Sequence, residues 1–375
     1  MFSFLSLVAL ANALEGQPQA LTPPSESPLI AQASGEIITI EQAVRALPGG
    51  LDNVPVFNSN SPEIISSDGI LLSTFPGRGK ADPSAHLNYT FNGRFDVFSH
   101  HVARGQDDRD TRTVYESILV HNPGDRAITL TVREGASHIS QESPWNEITS
   151  GSSNLYSNNF SGPGSRVMND ILRDRRQASL PAQVTIHPRA SSQQRNAPHT
   201  LPPGSTITPP PTRASSGEGP RQNGRSTHLR HHSSGPVYVA SLAMHAPQSN
   251  GNERVPNIDE WKQLLFRGRL TTPRDLAPSR PGSRSNPFRY GRVAGIAQGS
   301  HWRATLTDGR RSQLNIPNPG EQISYGLSTL ERQTFGTGQI QSAPMVSRYG
   351  DTAYRANGNN GIEYNLVLPL YNNTD

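Results

Sequence analysis

Five of the twelve histidines lie between His86 and His138, and two of them flank a turn signal. Asn92-Gly93 separates the β-prone runs His86–Phe91 and Arg94–Ser99. Asn-Gly between such runs is the strongest short hairpin signal, because both turn residues adopt positive φ. In a two-residue-loop register His86 faces Ser99, and His101 lies diagonally on the same face, roughly 7 Å away. A third strand that pairs residue 101 with about 116 brings in Glu116. Two imidazoles and a carboxylate on a rigid sheet are the donor set of a zinc or non-haem iron site. His86, His101 and Glu116 are therefore the candidate metal ligands, and a polar, half-buried sheet surface is the alternative.

Other groupings carry less. Asp107-Asp108-Arg109-Asp110 is carboxylate-rich, but it lacks the spacing, Gly and terminal Glu of a calcium loop and reads as a solvated turn. His228, His231 and His232 sit with Arg225 and Arg230 in a stretch that reads as a solvated loop. Gly77-Arg78-Gly79-Lys80-Ala81 lacks the earlier Gly and the Ser/Thr of a phosphate loop. Gly336-Thr337-Gly338 lacks the third Gly of a dinucleotide fingerprint, so no organic cofactor is expected. Neither a nucleophile elbow nor His-Glu-x-x-His occurs, and no catalytic residue is assigned. Paired carboxylates for glycoside hydrolysis leave no sequence signature. Tyr89, Phe91, Phe95, Phe98, Trp145, Trp261 and Trp302 offer rings for sugar stacking, although core packing is their commoner fate.

The elements that position these residues are mostly strands. Ile70–Phe75, Val237–Ala243, Trp302–Leu306, Gln322–Leu330 and Ile362–Leu370 read as strands, as does Glu36–Ile40. Val114–Val120 and Ile128–Val132 read as a second hairpin around Asn122-Pro123-Gly124-Asp125. Two helices stand out. One is capped by Ser165, with Val167, Met168, Ile171 and Leu172 on one face. The other starts at Asn257, has Glu260 at the capping-box position, and carries Ile258, Trp261 and Leu265 on its apolar side. The fold class expected is mainly β: antiparallel and sandwich-like, in two β domains with a few short helices and long disordered loops.

Composition agrees. Gly and Pro together number 65 of 375 residues, above the usual combined share of about 12 per cent. Cysteine is absent, which excludes disulfides, zinc-thiolate sites and a cysteine nucleophile. The net charge is +4, and all basic residues except Lys80 and Lys262 are arginines. The arginines are spread evenly rather than striped, and a nucleic-acid partner is not expected. Residues 2–10 are apolar and Ala11-Asn12-Ala13 is a small-x-small cleavage pattern, so the start reads as a signal peptide. The run lacks a basic lead and is too short to span a bilayer, which takes about 20 residues.

The expected organisation is a signal peptide over 1–13, a disordered lead-in over 14–34, and a first β-rich domain over 35–187. A low-complexity loop follows over 188–234, then a second β-rich domain over 235–375. Val367–Asp375 echoes Ser117–Asp125, strand then turn, and reads as a hairpin cut short.

Several stretches together resemble a known family. They are Val44–Gly49, Val54–Pro62, Gly93–Asp96 to His100–Arg104, Gly162–Met168, Gly235–Met244, Tyr290–Gly295 and Leu368–Asn373. The chain resembles the cyanobacterial domain-of-unknown-function family numbered 3370 over roughly residues 36–375, with residues near 190–220 departing from the pattern. That resemblance implies a cyanobacterial source and export, and it carries no site residues. The function expected is that of an exported, periplasmic or extracellular envelope protein that binds or supports without catalysis. Its partner would be envelope polysaccharide or another envelope protein. The second reading is a secreted or periplasmic metal-assisted hydrolase acting on envelope polysaccharide.

Overall fold

A computed structural model describes residues 42–105, 110, 112–140, 163–199 and 222–372. The expected signal peptide, lead-in and first strand, and the middle of the low-complexity stretch, lie outside these residues. The chain divides into two units. The larger holds residues 51–301 and 343–363, and the smaller holds residues up to 50, 302–342 and from 364 on.

The larger unit is a β-sandwich whose two sheets share one strand. Its strands are β1 (Pro55–Ser59), β2 (Gly69–Ser73), β3 (Phe91–Arg104), β4 (Val114–His121), β5 (Ile128–Ser140) and β6 (Gln183–Ile186). They continue with β7 (Ser191–His199), β8 (Gln222–His245), β9 (Ala294–Gln298) and β10 (Ala343–Arg348). The first half of β8 pairs antiparallel with β3 and β5, and the second half with β4 and β2. The change of partners falls at a register shift between Ser233 and Val237. Pro236 lies in that shift, where its missing N–H breaks no ladder bond. Outward from β3 the order is β1, β9, β10. The β1–β3 pairing is parallel, so the sandwich is not purely antiparallel.

Phe57, Phe95, Val97, Leu130, Leu229 and Ile296 from one sheet meet Leu72, Ile118, Val120 and Val239 from the other in one buried core. Two helices cover outer faces. Helix α1 (Pro163–Ile171) packs on β5 and β8, burying Val167 and Ile171 against Ala136. Helix α2 (Ile258–Arg267) buries Trp261 and Leu265 against Ile70, Leu119 and Leu242. The apolar spacing of each helix anticipates these contacts, except that Leu172 is 62% exposed, just past the end of α1. The capping box forms as its residues predict: Asn257 Oδ1 accepts from the Glu260 N–H at 3.0 Å, and Glu260 Oε2 accepts from the Asn257 N–H at 2.8 Å. Asn257→Ala is expected to cost about 1 kcal/mol, read as a lowered urea midpoint.

Three sequence expectations are corrected here. Asn92-Gly93 makes no hairpin but lies inside the continuous strand β3. Gly93 alone of the two takes positive φ (71°), whereas the type I′ turn that Asn-Gly favours needs both residues there. Strands β4 and β5 do not pair as a hairpin either, because they belong to opposite sheets. Asn122 holds that arch, accepting from the Gly124 N–H at 2.9 Å and donating to the Ile186 carbonyl at 3.0 Å. Finally, residues 191–199 and 222–234, expected as low-complexity loop, are strand. Through β8 the chain after 222 pairs with strands between 69 and 140, so the units interleave instead of following one another at 188–234.

The smaller unit carries two parallel pairings, Gln42–Arg45 with Gln322–Tyr325 and Leu314–Asn315 with Leu370–Tyr371. Among the described residues no helix is long and apolar enough to cross a membrane.

Candidate functional site

Two of the three expected ligands, His101 and Glu116, are buried, each bonded to its own serine. Strand β8 lies between β3 and β4, so residue 101 pairs with Arg225 and Glu116 with Ala243. The expected pairing of 101 with about 116 therefore does not form. Glu116 instead reaches β3 with its side chain, and the Ser99 hydroxyl donates to its Oε1. Ser59 on β1 is the register partner of Ser99. The Ser59 hydroxyl lies 3.0 Å from His101 Nε2, and His101 Nδ1 lies 2.7 Å from the Pro62 carbonyl. A carbonyl only accepts, so Nδ1 carries a proton, and in the neutral ring Nε2 accepts from Ser59. Ser59, Ser99, His101 and Glu116 are each at most 2% exposed.

His86 is held elsewhere. It lies just before β3, with Nδ1 2.8 Å from the Ser73 hydroxyl. Burial, and then the charge of Lys80, push its pKa down to about 4. Among the described residues no three His, Asp or Glu side chains are grouped to hold a metal ion. Of the acidic loop only Asp110 is described, in an ion pair with Arg112 at 2.8 Å.

A charged network that the sequence did not reveal lies on the other face of β3 and β8. Arg230 is its centre: Nη2 donates to Glu363 Oε2 at 2.6 Å, Nη1 is 3.7 Å from Glu134, and Nε is 3.8 Å from Asp96. Asp96 is fully buried, and His228 Nε2 stands 3.8 Å from it. Outward, His301 Nε2 is 3.5 Å from Glu363, and His301 Nδ1 takes contacts from Ser300 Oγ at 2.7 Å and Arg94 Nη2 at 3.0 Å. Burial works to raise the Asp52 pKa. The interaction with His301 and hydrogen bonds from the Ser300 and Val54 N–H groups outweigh it and hold the carboxyl well below the usual range. The network draws on positions 52, 94, 96, 134, 228, 230, 301 and 363, and no local motif signals such a set.

His228 and His231, expected in a solvated loop, are buried on β8. His231 stacks on Phe95 with ring centroids 4.9 Å apart, and burial pushes its pKa down to about 4. An unfolded histidine titrates near 6.5, so its neutral form favours the fold fully above that pH. That contribution is lost as pH falls from about 6.5 to about 4, with a slope of about 1.4 kcal/mol per pH unit. His231→Phe is expected to flatten this part of the stability–pH curve, measured by urea unfolding between pH 4 and 7.

The rings named in the sequence largely serve packing: Phe91, Phe95, Phe98, Trp261 and Trp302 are buried, and Trp145 lies outside the described residues. In the smaller unit the surface has a hollow of about 300 Å³ lined by Arg45, Pro48, Asp308 and Tyr325, among others.

The profile of a family described as "Protein of unknown function (DUF3370)" matches residues 42–375. No curated protein and no solved structure matches the chain.

Proposed function

Because the chain belongs to the DUF3370 family, whose description assigns no activity, we propose that it is an exported envelope protein that binds polysaccharide without cleaving it. The observation that carries this reading is the sealed state of its chemistry-capable side chains. His101, Glu116, Ser59 and Ser99 have almost no surface and are bonded in two pairs, His101 with Ser59 and Glu116 with Ser99. A hydroxyl locked between strands cannot meet a glycosidic bond, whereas the same contacts tie β1, β3 and β4 into a rigid platform. Export rests on the apolar run 2–10 and the Ala11-Asn12-Ala13 pattern.

The test is fractionation of the tagged full-length chain, then co-sedimentation of the purified protein with envelope polysaccharide while new reducing ends are counted. Recovery outside the cytosol, with saturable co-sedimentation and no new ends, is expected. Release of reducing ends would favour the hydrolase reading, and retention in the cytosol would remove the envelope role.

A further inference from the structure

We infer that the hollow in the smaller unit binds a neutral pyranose, the single sugar unit of a polysaccharide; this deepens the function proposed above and rests on it. A volume of about 300 Å³ is at the small end of ligand sites, suited to one ring. Its chemistry is that of a matched pair. Arg45 Nη1 donates to Asp308 Oδ1 at 2.8 Å, and Asp308 Oδ2 accepts from the Asn315 N–H at 2.8 Å. Arg45 and Tyr325 are register partners on adjacent strands. Hydrogen bonds to Asp308 and Tyr325 favour the charged guanidinium. Both charged side chains stay within solvent reach, 38% and 21% exposed.

The pair is neutral overall, so an anion gains Arg45 but meets Asp308, and a cation meets the reverse. A vicinal diol meets no such conflict, because each hydroxyl both donates and accepts. One hydroxyl can donate to the carboxylate while its neighbour accepts from the guanidinium, whose five N–H groups exceed what Asp308 and Tyr325 take up. Ala46 and Pro48 supply an apolar wall for the C–H face of a ring. That wall is fixed in advance: Leu47 and Gln339 exchange hydrogen bonds of 2.9 and 2.7 Å, and Trp302 Nε1 donates to the Pro48 carbonyl at 2.9 Å. A site already ordered adds little entropy cost on binding.

The experiment is a calorimetric or NMR titration of the full chain with methyl α-glucopyranoside, methyl β-galactopyranoside, N-acetylglucosamine and free glucose. Citrate and putrescine serve as charged controls. Saturable binding of at least one methyl glycoside, with neither charged control competing, is expected. Asp308→Asn is expected to weaken it at least tenfold, and Tyr325→Phe, which keeps the ring, by a smaller factor, with each variant checked for an unchanged melting curve. Binding of free glucose but of no glycoside would overturn the polysaccharide source. Binding of none, or binding indifferent to both substitutions, would overturn the site. If Asp308→Asn still co-sediments with polysaccharide like the parent protein, the hollow is wrong while the function stands. If the parent protein fails to co-sediment, the function falls first.

Discussion

Replacing Arg230 by Met is expected to destabilise the larger unit by roughly 3–5 kcal/mol, the cost of stranding one partner of a buried ionic group. Asp96 has no exposed surface and accepts no hydrogen bond from a described residue, so the guanidinium of Arg230 at 3.8 Å is what offsets its charge. The same substitution removes the 2.6 Å bond to Glu363. The readout is urea unfolding, where a lowered midpoint at unchanged slope reports stability alone. Asp96→Asn in the Arg230→Met background is expected to restore a large part of the loss, because it removes the stranded charge. A single variant within about 1 kcal/mol of the parent would mean that Asp96 is compensated by something other than Arg230.

Replacing His101 by Ala is expected to cost roughly 2–4 kcal/mol. It leaves the Ser59 hydroxyl and the Pro62 carbonyl without the imidazole that joins them, and it opens a cavity where a ring was packed. The penalty is expected to be the same with and without a chelator, because hydrogen bonding and packing supply it. A metal site makes the opposite forecast: the chelator would destabilise the parent protein and leave His101→Ala unchanged. Unfolding curves of both proteins with and without EDTA separate the two accounts.

Sequence reasoning reads this chain well wherever one residue type decides one local geometry. Asn257 and Glu260 announce their capping box, and Trp261 and Leu265 announce the face of α2 that meets the sheet. Ile70–Ser73 and Val237–Ala243 lie in strands with residues buried on both faces, as their apolar runs suggest. It fails where the deciding partner is distant. Asn92-Gly93 has the residues of a hairpin, yet the ladder from Phe91 to Arg104 against β8 keeps Asn92 extended and leaves Gly93 a local irregularity. Gln222–Ser233 reads as solvated because it holds Arg, Ser and His. Within it Arg225, Ser226, His228, Arg230, His231 and Ser233 are nonetheless buried, with Asp96, Ser137 and Glu363 among their partners across strands, while His232 is exposed. His101 and Glu116 are both buried and bonded to serines, but the register that suggested them, 101 opposite about 116, does not form. The network around Arg230 has no sequence signal, for its members span positions 52 to 363.

The proposed function is to grip a neutral glycan and leave it whole. Its most direct test is a titration of the intact protein with an oligosaccharide released from the envelope polysaccharide, followed by mass spectrometry of the recovered sugar. Saturable binding with the oligosaccharide returned at its starting mass is the predicted result. Shortened products after incubation, or no binding at any concentration reached, would contradict it.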